Sequence, residues 1–418
     1  MTVDYRRVAE LVIAAGITAI LTIGYIIYAG RVLGPAEYAD FSAGLSVIYL
    51  FSVALSPVTP TIARLVARCF VRRDFASIAA LRSAVLSRLL VAIAIAGVVS
   101  FACSRLIARA LHFRTTTTVL LSFLAALLFA FLSVDRGVLH GLMRFRTYNV
   151  NTVLEAIIRA GGAVLFIHYA TNATSALASY ALALIIAALA IALPFEREWR
   201  NIDGGRVDRR EVLRLTLPMI VLMLAIAVFQ NADVLAVKRW FHATDAGVYG
   251  AASAVARAFG VIFVPLYVLA GPLLAGAHEQ GRPIRKLTLE LCAIFLALGA
   301  LPLAVFFLWP QRIMTLLYGP AYASAGPLVA RLGGVAIITY TALMLVQALI
   351  SVADFRFLVV YGGGVILQIA ALVLLHNTYA DVITALYVPQ TIVLLVVLVL
   401  FATCSRLSSR ASTRTPIS

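Results

Sequence analysis

The sequence predicts an all-α polytopic membrane protein of about twelve transmembrane helices arranged as two six-helix lobes, and three observations predict it. Of 418 residues, 63% are hydrophobic and only 12% are charged, whereas a soluble chain carries roughly twice that charge. The apolar residues gather into about twelve runs, each long enough for a hydrocarbon layer of ~30 Å. The longest polar stretch, Glu196 to Glu211, falls almost at the midpoint, with six runs before it and six after. Spans of this number leave no length for a soluble catalytic domain, so the chain is not read as an enzyme.

The spans follow one another with short connections. The first, 8–29, lies behind Arg6 and Arg7 and is too long for a signal-peptide core, so it reads as a retained helix. The second, 38–63, begins in Ala36-Glu37-Tyr38-Ala39-Asp40-Phe41 and contains Ser56-Pro57-Val58-Thr59-Pro60, where a kink is expected. Spans 83–108, 117–140, 148–170 and 175–195 lead to the polar stretch. The seventh, 212–237, has Leu217-Pro218 near its start, and the eighth, 246–274, begins in Thr244-Asp245-Ala246-Gly247-Val248-Tyr249 and is kinked by Pro265. The ninth, 286–309, ends at Trp309. The tenth, 322–350, follows Tyr318-Gly319-Pro320-Ala321-Tyr322. The eleventh, 356–376, carries Gly362-Gly363-Gly364, which reads as a close helix approach, and the twelfth is 380–403.

Basic residues orient the spans. The formal charge is +16, but the cations punctuate the apolar runs rather than form one patch, so nucleic acid is not the expected partner. About 22 fall in connections on the side holding both termini and about 7 on the other, which places both termini in the cytoplasm. Cys69, Cys103, Cys292 and Cys404 show no metal or disulfide spacing. No metal or cofactor is expected. The polar midpoint divides the chain into lobes 1–203 and 204–418. Six spans being an even number, both lobes start on the same side, as in a parallel repeat. The small–acid–aromatic cue before spans two and eight echoes this duplication.

The segment Arg31-Val32-Leu33-Gly34-Pro35-Ala36-Glu37-Tyr38 resembles the turn after the first helix of polysaccharide-export flippases in the multidrug/oligosaccharidyl-lipid/polysaccharide superfamily. Gln230-Asn231-Ala232-Asp233, Asp245-Ala246-Gly247-Val248-Tyr249 and Tyr318 to Tyr322 repeat the cadence in the second half. Ala39 stands where that family usually has glycine. The resemblance implies two lobes around a central cavity in the bacterial inner membrane. The implied cargo is a polyprenyl-pyrophosphate-linked oligosaccharide repeat unit, moved for O-antigen, capsule or exopolysaccharide synthesis. Membrane lipids and a polysaccharide polymerase or chain-length machinery are the implied partners. A cation-coupled multidrug exporter of the same superfamily is the main alternative, and a membrane-embedded glycan polymerase or glycosyltransferase a more distant one.

Ionisable residues inside spans carry the site expectation, because a central Arg or Asp costs about 2.5–3.5 kcal/mol on insertion scales and needs a partner, water or ligand. Arg159, Arg257 and Arg331 approach the midplane and are the expected phosphate contacts, with Asp233, Gln230 and Asn231 offering groups for sugars. Glu155 and Arg159, four residues apart, suit an ion pair on one helix face. Asp135 and Arg136, being adjacent, point in different directions. With Glu155 and Glu290 they are the candidates for gating or for coupling to a proton or sodium ion. Arg88 is expected to snorkel to the surface.

Overall fold

The structure, a computed structural model, describes the backbone of residues 5–199, 209–257 and 259–404. Among them every regular element is helical. A bilayer explains this, because helices satisfy their own backbone groups without water. The helices are α1 (Tyr5–Leu55), α2 (Val58–Val71), α3 (Phe75–Ala110), α4 (Thr116–Gly141), α5 (Phe145–Tyr169), α6 (Ala173–Trp199) and α7 (Arg209–Trp240). There follow α8 (Ala243–Ala256), α9 (Phe259–Glu279), α10 (Ile284–Leu308), α11 (Pro310–Tyr318), a 3-10 turn Pro320–Ala325, α12 (Gly326–Ser351), α13 (Phe357–Leu374) and α14 (Tyr379–Thr403).

The first two expected spans are continuous in α1, interrupted only at Gly34, whose φ of 70° and ψ of 169° break the helix before Pro35. Glycine tolerates this conformation without a Cβ clash. A second break falls at Ser56-Pro57, as the sequence implies, and a third separates α8 from α9 inside the expected eighth span. Between the ninth and tenth spans the structure inserts α11 and the 3-10 turn. Gly319, at φ 100°, separates these two elements, and the rings of Tyr318 and Tyr322 pack 5.3 Å apart.

Several connections are left-handed turns of the same kind. Arg73, His112, Met143, Gly281 and Ala353 all have positive φ. In each case the next residue's amide reaches back five positions: Asp74 to Cys69, Phe113 to Ala108, Arg144 to Leu139, Arg282 to Ala277 and Asp354 to Leu349, at 2.8 to 3.0 Å. This is the Schellman closure, which satisfies carbonyls that a helix end otherwise leaves open.

By packing, the chain falls into two compact units, 1–247 and 248–418. The expected lobe boundary between 203 and 204 lies outside the described residues. In the first unit α4 is central, touching α1, α2, α3 and α6, while α5 pairs with α6 and α7 lies along α1. In the second, α12 is central, touching α9, α10 and α14, while α13 pairs with α14. The contacts of α2, α3 and α6 with α4 thus recur as those of α9, α10 and α14 with α12.

Close approaches lie at glycines of α4, outside the expected pair Gly362 and Gly363. A Cβ on Gly137 would stand 2.8 Å from Ile62, and one on Gly141 2.5 Å from Val66, so this Gly-x-x-x-Gly face of α4 seats α2 directly. Gly362 and Gly363 have nothing within 4 Å of an added Cβ. For these two the expected close contact is therefore corrected: they stand on an open face of α13.

Candidate functional site

The first unit holds a chain of buried charges across α3, α4, α5 and α6. Glu155 on α5 accepts from Arg136 Nη2 at 2.7 Å and, one turn along its own helix, from Arg159 Nη1 at 3.2 Å. Arg136 also donates twice to Asn151 Oδ1, at 3.1 and 3.0 Å, and Asn151 Nδ2 donates to the Ala187 carbonyl on α6. The remaining reach of Arg159 goes to Thr22 on α1 at 2.5 Å. Its guanidinium lies 4.8 Å from the Tyr180 ring centre and 5.8 Å from that of Tyr25, so aromatic faces complete its surroundings. Arg159 is 5% exposed and Glu155 7%.

Asp135 belongs to a neighbouring arrangement. Arg82 on α3 forks onto it at 2.6 and 3.2 Å and reaches Glu196, near the end of α6, at 2.7 Å. The adjacent residues Asp135 and Arg136 therefore do diverge, each finding its counter-charge on a different helix. Arg82, Glu196, Asn151 and Thr22 were not singled out in the sequence. Arg82 stands one residue before the expected third span, and its partners lie more than fifty positions away, so no local spacing marks it.

A second polar cluster is built on the segment after the Gly34 kink. Glu37 pairs with Arg114 and accepts from the Ala173 amide at 3.0 Å. Asp40 accepts from the Arg114 amide at 3.0 Å and meets Lys238 Nζ, at the end of α7, at 2.5 Å. Arg239, the next residue, donates to the Ala110 carbonyl. Gln230, Asn231 and Asp233 lie further back on α7. Asn231 and Asp233 are buried, and Asn231 Nδ2 donates to the Ala227 carbonyl at 2.9 Å.

The second unit places its charges differently. Arg257 is half-buried at the break between α8 and α9, where Nη2 donates to Ser253 Oγ at 3.0 Å. Arg331 is exposed, five residues into α12, and thus roughly 7.5 Å along that helix. The expected tenth span placed it deeper, because α12 starts at Gly326 rather than at Tyr322. The Tyr387 hydroxyl donates to the Arg331 carbonyl at 2.9 Å, holding α14 to α12 there. Glu290 is exposed on the early turns of α10, 3.9 Å from Lys286. Arg88, in the first unit, is exposed too.

A neutral cluster, also unmarked in the sequence reading, joins Thr339, Gln390 and Gln368. All three are buried, with the Thr339 hydroxyl on Gln390 and Gln390 Nε2 donating to Gln368 Oε1 at 3.0 Å. In the turn between α12 and α13, Arg356 hydrogen-bonds the Asp354 carboxylate and lowers its pKa.

A family model described as polysaccharide biosynthesis protein matches residues 6–275. No curated protein matches the sequence. Among solved structures, an inward-facing multidrug resistance MATE family transporter of the MOP superfamily is similar at a TM-score of 0.78. It shares 14% identity, with 93% of this chain and 94% of that one covered. The outward-facing structure of such a transporter is similar at 0.66, with 16% identity over 97% and 96%. A MOP superfamily transporter from Pyrococcus furiosus, described as having a binding pocket of reverse polarity, also gives 0.66, with 14% identity over 97% and 95%. These likenesses show a MATE-like fold.

Proposed function

The chain belongs to the polysaccharide biosynthesis protein family, and from that premise we propose that it is a flippase for undecaprenyl-pyrophosphate-linked oligosaccharide repeat units. It works in the bacterial inner membrane by alternating access, with both termini cytoplasmic, and supplies O-antigen, capsule or exopolysaccharide assembly. It moves its cargo without chemical change, while the polyprenyl tail stays in lipid and spares the charged headgroup a passage through hydrocarbon.

The observation that carries the reading is the sign of the charge in the second unit. Its four acids, Glu279, Glu290, Asp354 and Asp381, stand at helix ends, early turns or connections. The break between α8 and α9 carries Arg257, and the early turns of α12 carry Arg331, so the cations of this unit interrupt long apolar runs. Guanidinium groups match phosphate oxygens with paired donors. In the first unit, Arg159 is oriented by Glu155 and Thr22. Gln230, Asn231 and Asp233 supply the hydrogen-bonding groups that sugars take.

Multidrug export is the second reading, favoured by the fold likeness to a multidrug transporter. A cationic drug would select Asp233 rather than the arginines. Export of glycan by a flippase-deficient strain separates the two. Arg257→Ala and Arg331→Ala are each expected to lower export about tenfold or more at unchanged protein level, the loss of one charge-assisted contact. Unchanged export in both variants rejects the phosphate role. Dye efflux that needs Asp233, without glycan export, establishes the second reading.

A further inference from the structure

We propose that Asp40 and Lys238 form a latch that closes one mouth of the transport path and must part and re-form in each cycle; this rests on the flippase reading. The carboxylate and the ammonium are 2.5 Å apart, with side chains 1% and 3% exposed. Burial of this degree gives little net stability, since a well-packed apolar pair serves as well or better. What an ion pair offers over an apolar contact is reversibility. Two separated charges are well solvated when water enters, whereas two separated apolar groups are not.

The surroundings divide the pair into a fixed and a movable half. Asp40 is held by the Arg114 amide, and Glu37, one turn earlier, is held by Arg114 and by the Ala173 amide. The Asp40 carboxylate is thus fastened to the α3–α4 connection, and its segment is tied through Glu37 to the start of α6. Lys238 sits in the last turn of α7, with its ammonium 5.6 Å from the Phe113 ring centre. Its neighbour Arg239 donates to the Ala110 carbonyl. In the proposed cycle the end of α7 withdraws from the α3–α4 connection, which parts Lys238 from Asp40.

Two further contacts make the closure tight. Ala43, one turn beyond Asp40, is buried with Ala108, Phe113 and Val119, and the partly buried Leu235 of α7 packs against this apolar cluster. At Gly247, an added Cβ would stand 1.7 Å from the Pro35 carbonyl oxygen, so the start of α8 lies directly on the kinked segment. The basic-residue bias assigns this end to the periplasmic side, which makes the latch the outer gate.

Labelling and export together test it. In a chain with Cys69, Cys103, Cys292 and Cys404 replaced by serine, Ala43→Cys reports access from outside to a membrane-impermeant maleimide. Slow labelling is expected, rising about tenfold or more when Asp40→Asn or Lys238→Gln is added. The double variant Asp40→Leu with Lys238→Met is expected to keep its melting temperature and label slowly, yet lose glycan export about tenfold or more. Equal labelling in all variants, or full export by the apolar double variant, would overturn the latch and leave a static brace. If the intact protein restores no glycan export, the flippase reading fails instead, and the labelling contrast is judged by itself.

Discussion

Glu155 shows how much one buried carboxylate can organise. It pairs with two guanidinium groups that come from different helices, and removing its charge would leave both cations facing one another. Glu155→Gln is expected to destabilise the protein by about 3–5 kcal/mol, as when one partner of a buried pair is removed. Thermal unfolding in detergent measures this, and Glu155→Gln combined with Arg159→Met should recover part of the loss, because the two sites are coupled. The pair of Glu155 with Arg159 was legible in the sequence, since four residues on a helix bring side chains together. A contact of Arg136 with Glu155 also fitted an inner charge network, but the partners of Asp135 and Asp40 were not legible. Their counter-charges come from helices distant in sequence, and local spacing says nothing about which helices meet.

Helices were legible for a related reason: a run that must satisfy its backbone in lipid has few choices, and hydropathy marks its extent. Breaks inside the runs were legible only where proline or glycine announced them. Ser56-Pro57 did so, whereas α11 was hidden between two apolar spans and shifted the start of α12, and Arg331 with it. Glycines were ambiguous in another way. The triplet Gly362 to Gly364 drew attention by density, yet it is Gly137 and Gly141 on α4 whose missing side chains admit α2. Gly141→Leu is expected to cost about 1–3 kcal/mol through overpacking against Val66. Gly362→Ala, with open space around it, should leave the same detergent melting transition in place or raise it slightly.

Across the whole molecule, the same packing scheme occurs twice, with α4 and α12 as the central helices of their units. The left-handed turns repeat with it: those at Arg73 and Met143 recur about 210 residues later at Gly281 and Ala353. The sequence showed the duplication only as a faint cue before spans two and eight, since packing schemes survive changes of side chain that erase identity. The basic-residue bias predicts that these four turns lie in the cytoplasm. Single cysteines at 73, 143, 281 and 353 should react with an impermeant maleimide only after the inner membrane is opened, and a cysteine at 112 should react in intact spheroplasts. The reverse pattern would invert the proposed orientation.

Those turns also bear on how the protein is made. A connection closed within three or four residues by its own carbonyls leaves no slack between the helices it joins, so α2–α3, α4–α5 and α9–α10 can each leave the translocon as a closely tied pair. Biogenesis would then proceed two helices at a time, and a chain stalled after an odd number of spans would be the form that quality-control proteases remove.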